Sequence, residues 1–205
     1  PSKTRIIHFI GNLPNDVTLP DVGDSEDELK TITTSGDMSY WGYKSFNSVT
    51  ELKDFKGQTL TLYRNKAKIS ITAADGVTAS IAGVANAYQY GVLVPHNNDS
   101  FNFDLDTDYQ TLPSNTTKIS EQTGGAFTYV FEHPNDSKAD ALNVICKVGD
   151  LYYKVALAKK VDDVMVYYDI IRNHQYNIKI NQVDTNLGKA NFQDAADANN
   201  EPIND

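Results

Sequence analysis

From about Thr59 to Val183 the chain repeats one pattern: short runs in which apolar and polar residues alternate, cut by clusters of Gly, Asn, Asp and Pro. The runs are "QTLTLYR", "AKISITA", "GVTASIAGV", "SFNFDLD", "AFTYVFEH", "ALNVICKV", "LYYKVAL" and "QYNIKINQV", rich in Val, Ile, Tyr, Phe and Thr. A period of two places alternate side chains on opposite faces of a strand, and β-branched and aromatic residues suit a pleated, half-buried surface. "VGDL", Val148 to Leu151, joins two such runs through Gly149-Asp150 and predicts a tight hairpin. Near the start, "RIIHFIGN" predicts a strand that ends in a turn at Gly11-Asn12 and Pro14. Together these runs predict an all-β chain folded as an antiparallel β-sandwich.

Two segments break the pattern. Ser25 and Glu28 have capping-box spacing and predict a short helix near 25–33. Ser48 and Glu51 repeat that spacing in "SVTELKDF", which reads equally as a helical turn or as a linker. The tail "DTNLGKANFQDAADANNEPIND" is rich in Asp, Asn and Ala. Leu187, Phe192 and Ile203 are its large apolar residues, and it is expected to leave the core as a loop or extended segment.

Composition adds bounds. Hydrophobic residues make up 40% of the 205 positions and charged residues 22%, as in a globular protein with a sizeable core. No apolar run approaches the roughly 18 residues that span a bilayer. The opening "PSKTRIIHFIGN" lacks the apolar core of a signal peptide, so the chain is expected to be either cytosolic or already processed. The net charge of −9 argues against nucleic acid as a partner, because phosphate backbones call for clustered Lys and Arg. The densest basic cluster, Arg64 to Lys68, reads as a solvated strand end. A single cysteine, Cys146, excludes an internal disulfide and a multi-cysteine zinc site. It lies on an alternating strand, where burial in the core is the expectation.

Candidate chemistry is sparse. Asp104, Asp106 and Asp108 supply oxygen ligands at alternate positions, but the glycine and distal glutamate of a calcium loop are not in place. They read as one solvated strand face. Asn98, Asn115 and Asn135 stand in N-glycosylation sequons, which carry weight only in a eukaryotic secretory pathway. Gly124-Gly125 precedes a strand without the lysine of a phosphate loop. His8, His96, His133 and His174 are far apart in sequence, and no nucleophile elbow, H-E-x-x-H or paired metal ligand is present. No cofactor is expected.

The densest polar constellation is in "YYDIIRNHQYNIKINQV", where Asp169, Arg172, Asn173 and His174 fall within six residues. Asp169 could orient His174 as a base, but no nucleophile accompanies them. In a strand, Tyr176, Ile178 and Ile180 share one face, with Arg172 and His174 on the Tyr176 side at its entrance. The reading preferred is structural: an Arg and a His at the mouth of a sandwich, bonding loop carbonyls and pinning the register.

"RNHQYNIKI" resembles a signature near the end of the fimbrillins, the subunits of Bacteroidales type V pili. "IIHFIGNLP", "LYRNKAKISI", "GVANAYQYGVLVPH", "YVFEHPND" and "VGDLYYKVAL" resemble further fimbrillin segments in the matching order, so the resemblance covers most of residues 6–183. It implies two tandem sandwich domains of the transthyretin-like, Greek-key type. Residues 1–55 would be the trailing part of the first domain plus a linker, and 56–205 the second, with a polar tail from about 184. It implies that Arg172, Asn173, His174 and Tyr176 form a structural motif. It also implies a non-enzymatic pilus subunit at the cell surface that takes part in adhesion and polymerises by strand complementation. Its partners would be other pilus subunits and host or bacterial surface ligands, and it would reach the outer membrane only through a lipidated precursor. Family precursors carry a lipoprotein signal and further strands before the position of Arg5, and usually a further apolar strand after the tail, so both ends of this chain read as cropped or processed. The competing readings are a carbohydrate- or protein-binding module that uses Trp41, Tyr43, Tyr88 and Tyr90 as a platform, and a surface hydrolase that uses Asp169 and His174.

Overall fold

The structure, a computed structural model, describes residues 5–96, 101, 117–162 and 164–198. The strands are β1 (Arg5–Gly11), β2 (Thr33–Ser35), β3 (Tyr40–Phe46), β4 (Tyr63–Arg64), β5 (Lys66–Ala73), β6 (Ala79–Tyr88) and β7 (Tyr90–Val92), then β8 (Lys118–Gly125), β9 (Phe127–Phe131), β10 (Asn143–Val148), β11 (Leu151–Ala156), β12 (Ala158–Val161), β13 (Val164–Tyr167) and β14 (Gln175–Ile180). Three short helices, α1 (Asp27–Lys30), α2 (Val49–Asp54) and α3 (Phe192–Ala196), complete the elements. The chain is mostly β, as the alternation predicts.

The main body is a sandwich. One sheet has the order β11-β10-β6-β8 and the other β14-β5-β9. Between them lie Ala67, Ile69 and Ile71 of β5, Ile81 and Val84 of β6, Val130 of β9, Val144 and Cys146 of β10, Val155 of β11 and Ile178 of β14. These are the inward positions of each alternating run. β10 and β11 form the expected hairpin, with Val148 opposite Leu151 and Gly149 at φ +60°, a conformation that suits glycine in a two-residue turn.

The antiparallel expectation fails at one pair: β14 runs parallel to β5. The reason lies at the strand's entrance. Asn173 N–H donates to the Lys66 carbonyl (3.0 Å) and Lys68 N–H to the His174 carbonyl (2.9 Å). The chain is thus seated at the start of β5 and can only run alongside it. Asn173 has φ +62°, a left-handed conformation in which Asn is enriched among non-glycine residues.

A second sheet system forms a smaller core. β1 pairs with β3, and β3 with β4. Leu29, Trp41, Leu93, Val94 and Phe101 pack together beneath it. β2 pairs with β7, which immediately precedes Leu93 in the chain. Asn65 (1% exposed) stitches the region: its Nδ2 donates to Thr34 Oγ1 (2.8 Å), and its Oδ1 accepts from Ser39 N–H (3.0 Å).

The helices differ from expectation in detail. α1 spans only four residues, because the chain must extend by Thr33 to pair with β7. Ser48 resolves to a true N-cap of α2: its Oγ accepts from Glu51 N–H (3.1 Å), while Glu51 Oε2 accepts from Asn47 N–H (2.6 Å).

The tail, as far as residue 198, packs on the sandwich rather than leaving it. α3 lays Phe192, Ala195 and Ala196 on Ala85 and Ile145, on the outer face of the four-stranded sheet. Lys189 and Tyr152 exchange two backbone hydrogen bonds of 2.9 Å, which close the β11 edge. Gly83 makes the docking possible: a Cβ there would stand 2.6 Å from Phe192 Cε2 and 2.1 Å from the Glu121 carbonyl oxygen. A glycine inside a strand marks such a close approach. Ile145 on one face of β10 and Val144 and Cys146 on the other are all fully buried, so this sheet is covered on both sides.

Candidate functional site

The constellation around Arg172 sits where the two cores meet. Arg172 is 1% exposed. Its Nη2 donates to Glu132 Oε2 (2.7 Å) and to the Val92 carbonyl (2.9 Å), and its Nη1 to the Leu93 carbonyl (3.2 Å). Glu132 is 3% exposed and immediately follows β9. One side chain therefore ties the exit of β7 to the end of β9. The planar guanidinium suits this, since its fixed fork serves several acceptors at once.

The neighbours of Arg172 close the corner. Arg64 donates from Nε to Asn173 Oδ1 (3.3 Å) and from Nη2 to the Asn173 carbonyl (3.2 Å). His174 Nδ1 lies 3.0 Å from the Arg172 carbonyl. Tyr176 turns its hydroxyl back, donating to the Asp169 carbonyl (2.6 Å) and accepting from Ile171 N–H (2.9 Å). Burial, the largest cause, raises the Tyr176 pKa and keeps the phenol protonated. The carboxylate of Asp169 accepts from Asn135 N–H (2.8 Å), so it holds a loop rather than an imidazole. Arg172, Asn173, His174 and Tyr176 are thus brought to one corner, where every hydrogen bond named here is internal to the fold.

His133 lies next to this corner, fully buried. It pairs with Ile170 as an isolated bridge and stacks on Tyr88 with ring centroids 4.4 Å apart. Burial, aided by the charge of Lys118, holds its pKa below the ordinary histidine value. Asn135 is also buried, donating Nδ2 to the Tyr168 carbonyl (2.6 Å) and accepting from Leu142 N–H (2.9 Å), so its amide belongs to the fold. Asn98, Asn115, Asp104, Asp106 and Asp108 lie outside the described residues. Among the described residues no cluster of three or more His, Cys, Asp or Glu is placed to hold a metal ion.

The four aromatic residues of the platform reading do not form one. Trp41 is 3% exposed and stacks on Tyr43 at 5.3 Å. Its Nε1 donates to His8 Nδ1 (3.2 Å), and His8 Nε2 lies 2.8 Å from Glu26 Oε1. Tyr88 is taken up by His133, which leaves Tyr90 as the exposed member.

Cys146 is fully buried in the sandwich core, and burial pushes its thiol up to about 12. A thiol held protonated and out of reach does not attack. The expected result is no labelling by a maleimide at neutral pH over the time in which denatured protein reacts completely. Rapid labelling without denaturant would show that the core opens.

Sheet edges are the remaining feature. β1 has a single strand neighbour, β3, among the described residues. None of its seven residues is buried, although Ile6, Ile7, Phe9 and Ile10 are apolar, and Ile6 is 37% exposed. Val49, Leu52 and Leu62 are also exposed. The ribbon β12–β13 exposes Val161, Val164 and Val166, and Tyr168 just after it is exposed as well.

No known family profile matches the chain, and no curated protein matches it. Among solved structures it is similar to a candidate cell adhesion protein from Bacteroides eggerthii, with 14% identity, a TM-score of 0.42, and coverage of 88% of this chain and 68% of that one. It is also similar to a candidate cell adhesion protein from Bacteroides fragilis, with 13% identity, a TM-score of 0.40, and coverage of 92% of this chain and 64% of that one. Likeness at this level carries no functional residue across.

Proposed function

We propose that the chain is a structural subunit of a bacterial surface pilus of the fimbrillin type, acting in cell adhesion and assembling by strand complementation with other subunits. The observation that carries this reading is β1: an apolar strand with one described neighbour and no buried residue. Among the described residues no strand lies along its outer edge, and its half-covered side chains suit the addition of a strand from a neighbour. The ordered series of fimbrillin-like segments supports the same reading.

Magnitudes favour a tethered strand over a free one. Covering one face of a five-residue apolar strand removes roughly 200–300 Å² from water, about 5–8 kcal/mol. Association costs about 4–15 kcal/mol in lost freedom and ordering. A free peptide therefore binds weakly at best, whereas a strand held in place by its own subunit has met much of that cost.

The test is sedimentation of the chain at rising concentration, alone and with a millimolar apolar strand peptide. The expected outcome is peptide binding that raises the melting temperature, with loss of that effect in Ile6→Lys, a charge at the exposed edge. A chain that stays monomeric, ignores the peptide and melts unchanged would sink strand complementation.

A further inference from the structure

The outer face of the sheet β14-β5-β9 carries polar and aromatic side chains in register. Alternation turns Ala67, Ile69 and Ile71 of β5 into the core, so Lys68 and Ser70 point out. Strand pairing aligns them in two rows. One row is Gln175, Lys68 and Tyr129, and the next is Asn177, Ser70 and Phe127. With strands about 4.8 Å apart and a period of two along each, the six side chains span roughly 10 Å by 7 Å, room for one or two sugar rings.

The polar end of the array is ordered. Gln175 Nε2 donates to Asn177 Oδ1 (2.8 Å), and Ser70 Oγ donates to the same oxygen. These bonds hold two exposed amides side by side. They leave Asn177 Nδ2 to donate and Gln175 Oε1 to accept, and neither atom has a hydrogen bond among the described residues. Turning both amides over would leave the same pair of groups, one nitrogen and one oxygen. At the other end Phe127, 49% exposed, is the most exposed aromatic residue among those described. Tyr129 packs against it edge to face at 5.7 Å between centroids, and Lys68 Nζ stands 4.6 Å from its ring centre. One exposed ring is ordinary on a protein surface. This one is held beside a row of directed hydrogen-bonding groups.

Each feature narrows the class of ligand. Two adjacent amides, one donating and one accepting, match vicinal hydroxyl groups, each of which does both. A phenyl ring matches the C–H face of a pyranose, because the ring's π face is negative and its surface apolar. An apolar peptide would bury the amides without partners, which is costly. We propose that this face binds a neutral oligosaccharide, laid across the strands with a sugar ring on Phe127 and hydroxyl groups on Gln175 and Asn177. The face uses neither β1 nor a side chain of the Arg172 corner, so its test is independent of strand complementation.

The experiment is an NMR titration of the chain, followed at backbone and side-chain amides, with cellohexaose, mannohexaose and xylohexaose in turn and with trigalacturonate as an acidic comparison. At least one neutral sugar is expected to give saturable shifts at Phe127, Tyr129, Gln175 and Asn177. Its affinity should persist at raised salt, since no ion pair is used. Phe127 and Asn177 are exposed, so Phe127→Ala and Asn177→Ala should fold as the parent does. Each should weaken binding by about tenfold, through loss of the stacking surface or of a hydrogen bond. Melting curves check both variants, and the one that melts like the parent carries the comparison. The proposal is overturned by silence with all three neutral sugars, by shifts confined to other parts of the chain, by unchanged affinity in a variant that melts like the parent, or by binding of trigalacturonate alone, which would mark a purely ionic attraction to the lysines.

Discussion

Arg172→Ala is expected to lower the unfolding free energy by about 3–5 kcal/mol, because it strips a buried carboxylate of its counter-charge. Glu132 and Arg172 are 3% and 1% exposed and 2.7 Å apart, so water cannot take the place of the missing group. The Val92 and Leu93 carbonyls lose their donors in the same step. A domain of this kind has a net stability of only about 5–15 kcal/mol, so the loss is a large share of the whole. The pair itself need not be net stabilising, since desolvating two charges offsets most of their attraction. Arg172→Met combined with Glu132→Leu should therefore recover much of the loss, and Arg172→Lys should recover little, because an ammonium lacks the planar fork. Urea unfolding of the three variants decides the matter. A single-variant loss under about 1 kcal/mol, the range of exposed ion pairs, would show that the corner does not hold the two cores together.

Phe192→Ala is expected to release the tail, at a local cost of about 3–5 kcal/mol, the range for truncating a buried aromatic residue. The ring is 6% exposed and rests on Gly83, with the Glu121 backbone behind it, so the gap cannot easily close. A five-residue helix does not persist in water without its packing. The variant should therefore show fast amide exchange from Lys189 to Ala198 and at the β11 edge, while the sandwich core stays protected. The effect on global unfolding is capped by the free energy of docking the tail, so amide exchange is the more sensitive reading. Unchanged exchange in the tail would mean that other contacts hold it.

The local elements were largely legible in the chain. Alternation locates β5, β10, β11 and β14, Gly149-Asp150 marks their hairpin, and Val144 and Cys146 face inward as the period requires. Ser48 caps a helix at the spacing its sequence suggests. β8 escaped because "KISEQTGG" lies at a sheet edge, exposed on nearly every side chain, and an exposed strand needs no apolar alternation. The β12–β13 ribbon escaped because its valines flank an acidic turn that reads as a loop. α3 did leave a trace. Asn191 caps it through Asp194 N–H (2.9 Å), and Phe192, Ala195 and Ala196 follow at helical spacing, but the surrounding Asp and Asn hid the stripe.

Periodicity states which side a residue faces, and turn residues state where the chain reverses. Both act over a few neighbours, so the sequence by itself determined the β class, most core-facing positions and the tight hairpin. It did not contain the identity of the strand across the sheet. The parallel seating of β14 on β5, the return of the tail to Gly83 and the meeting of Asn177, Ser70 and Phe127 in one row were decided only in the tertiary structure. The same holds for Arg172. Its residue type announces a charge that needs partners, but those partners stand 40, 79 and 80 positions away, and only the packed fold brings them within hydrogen-bond reach.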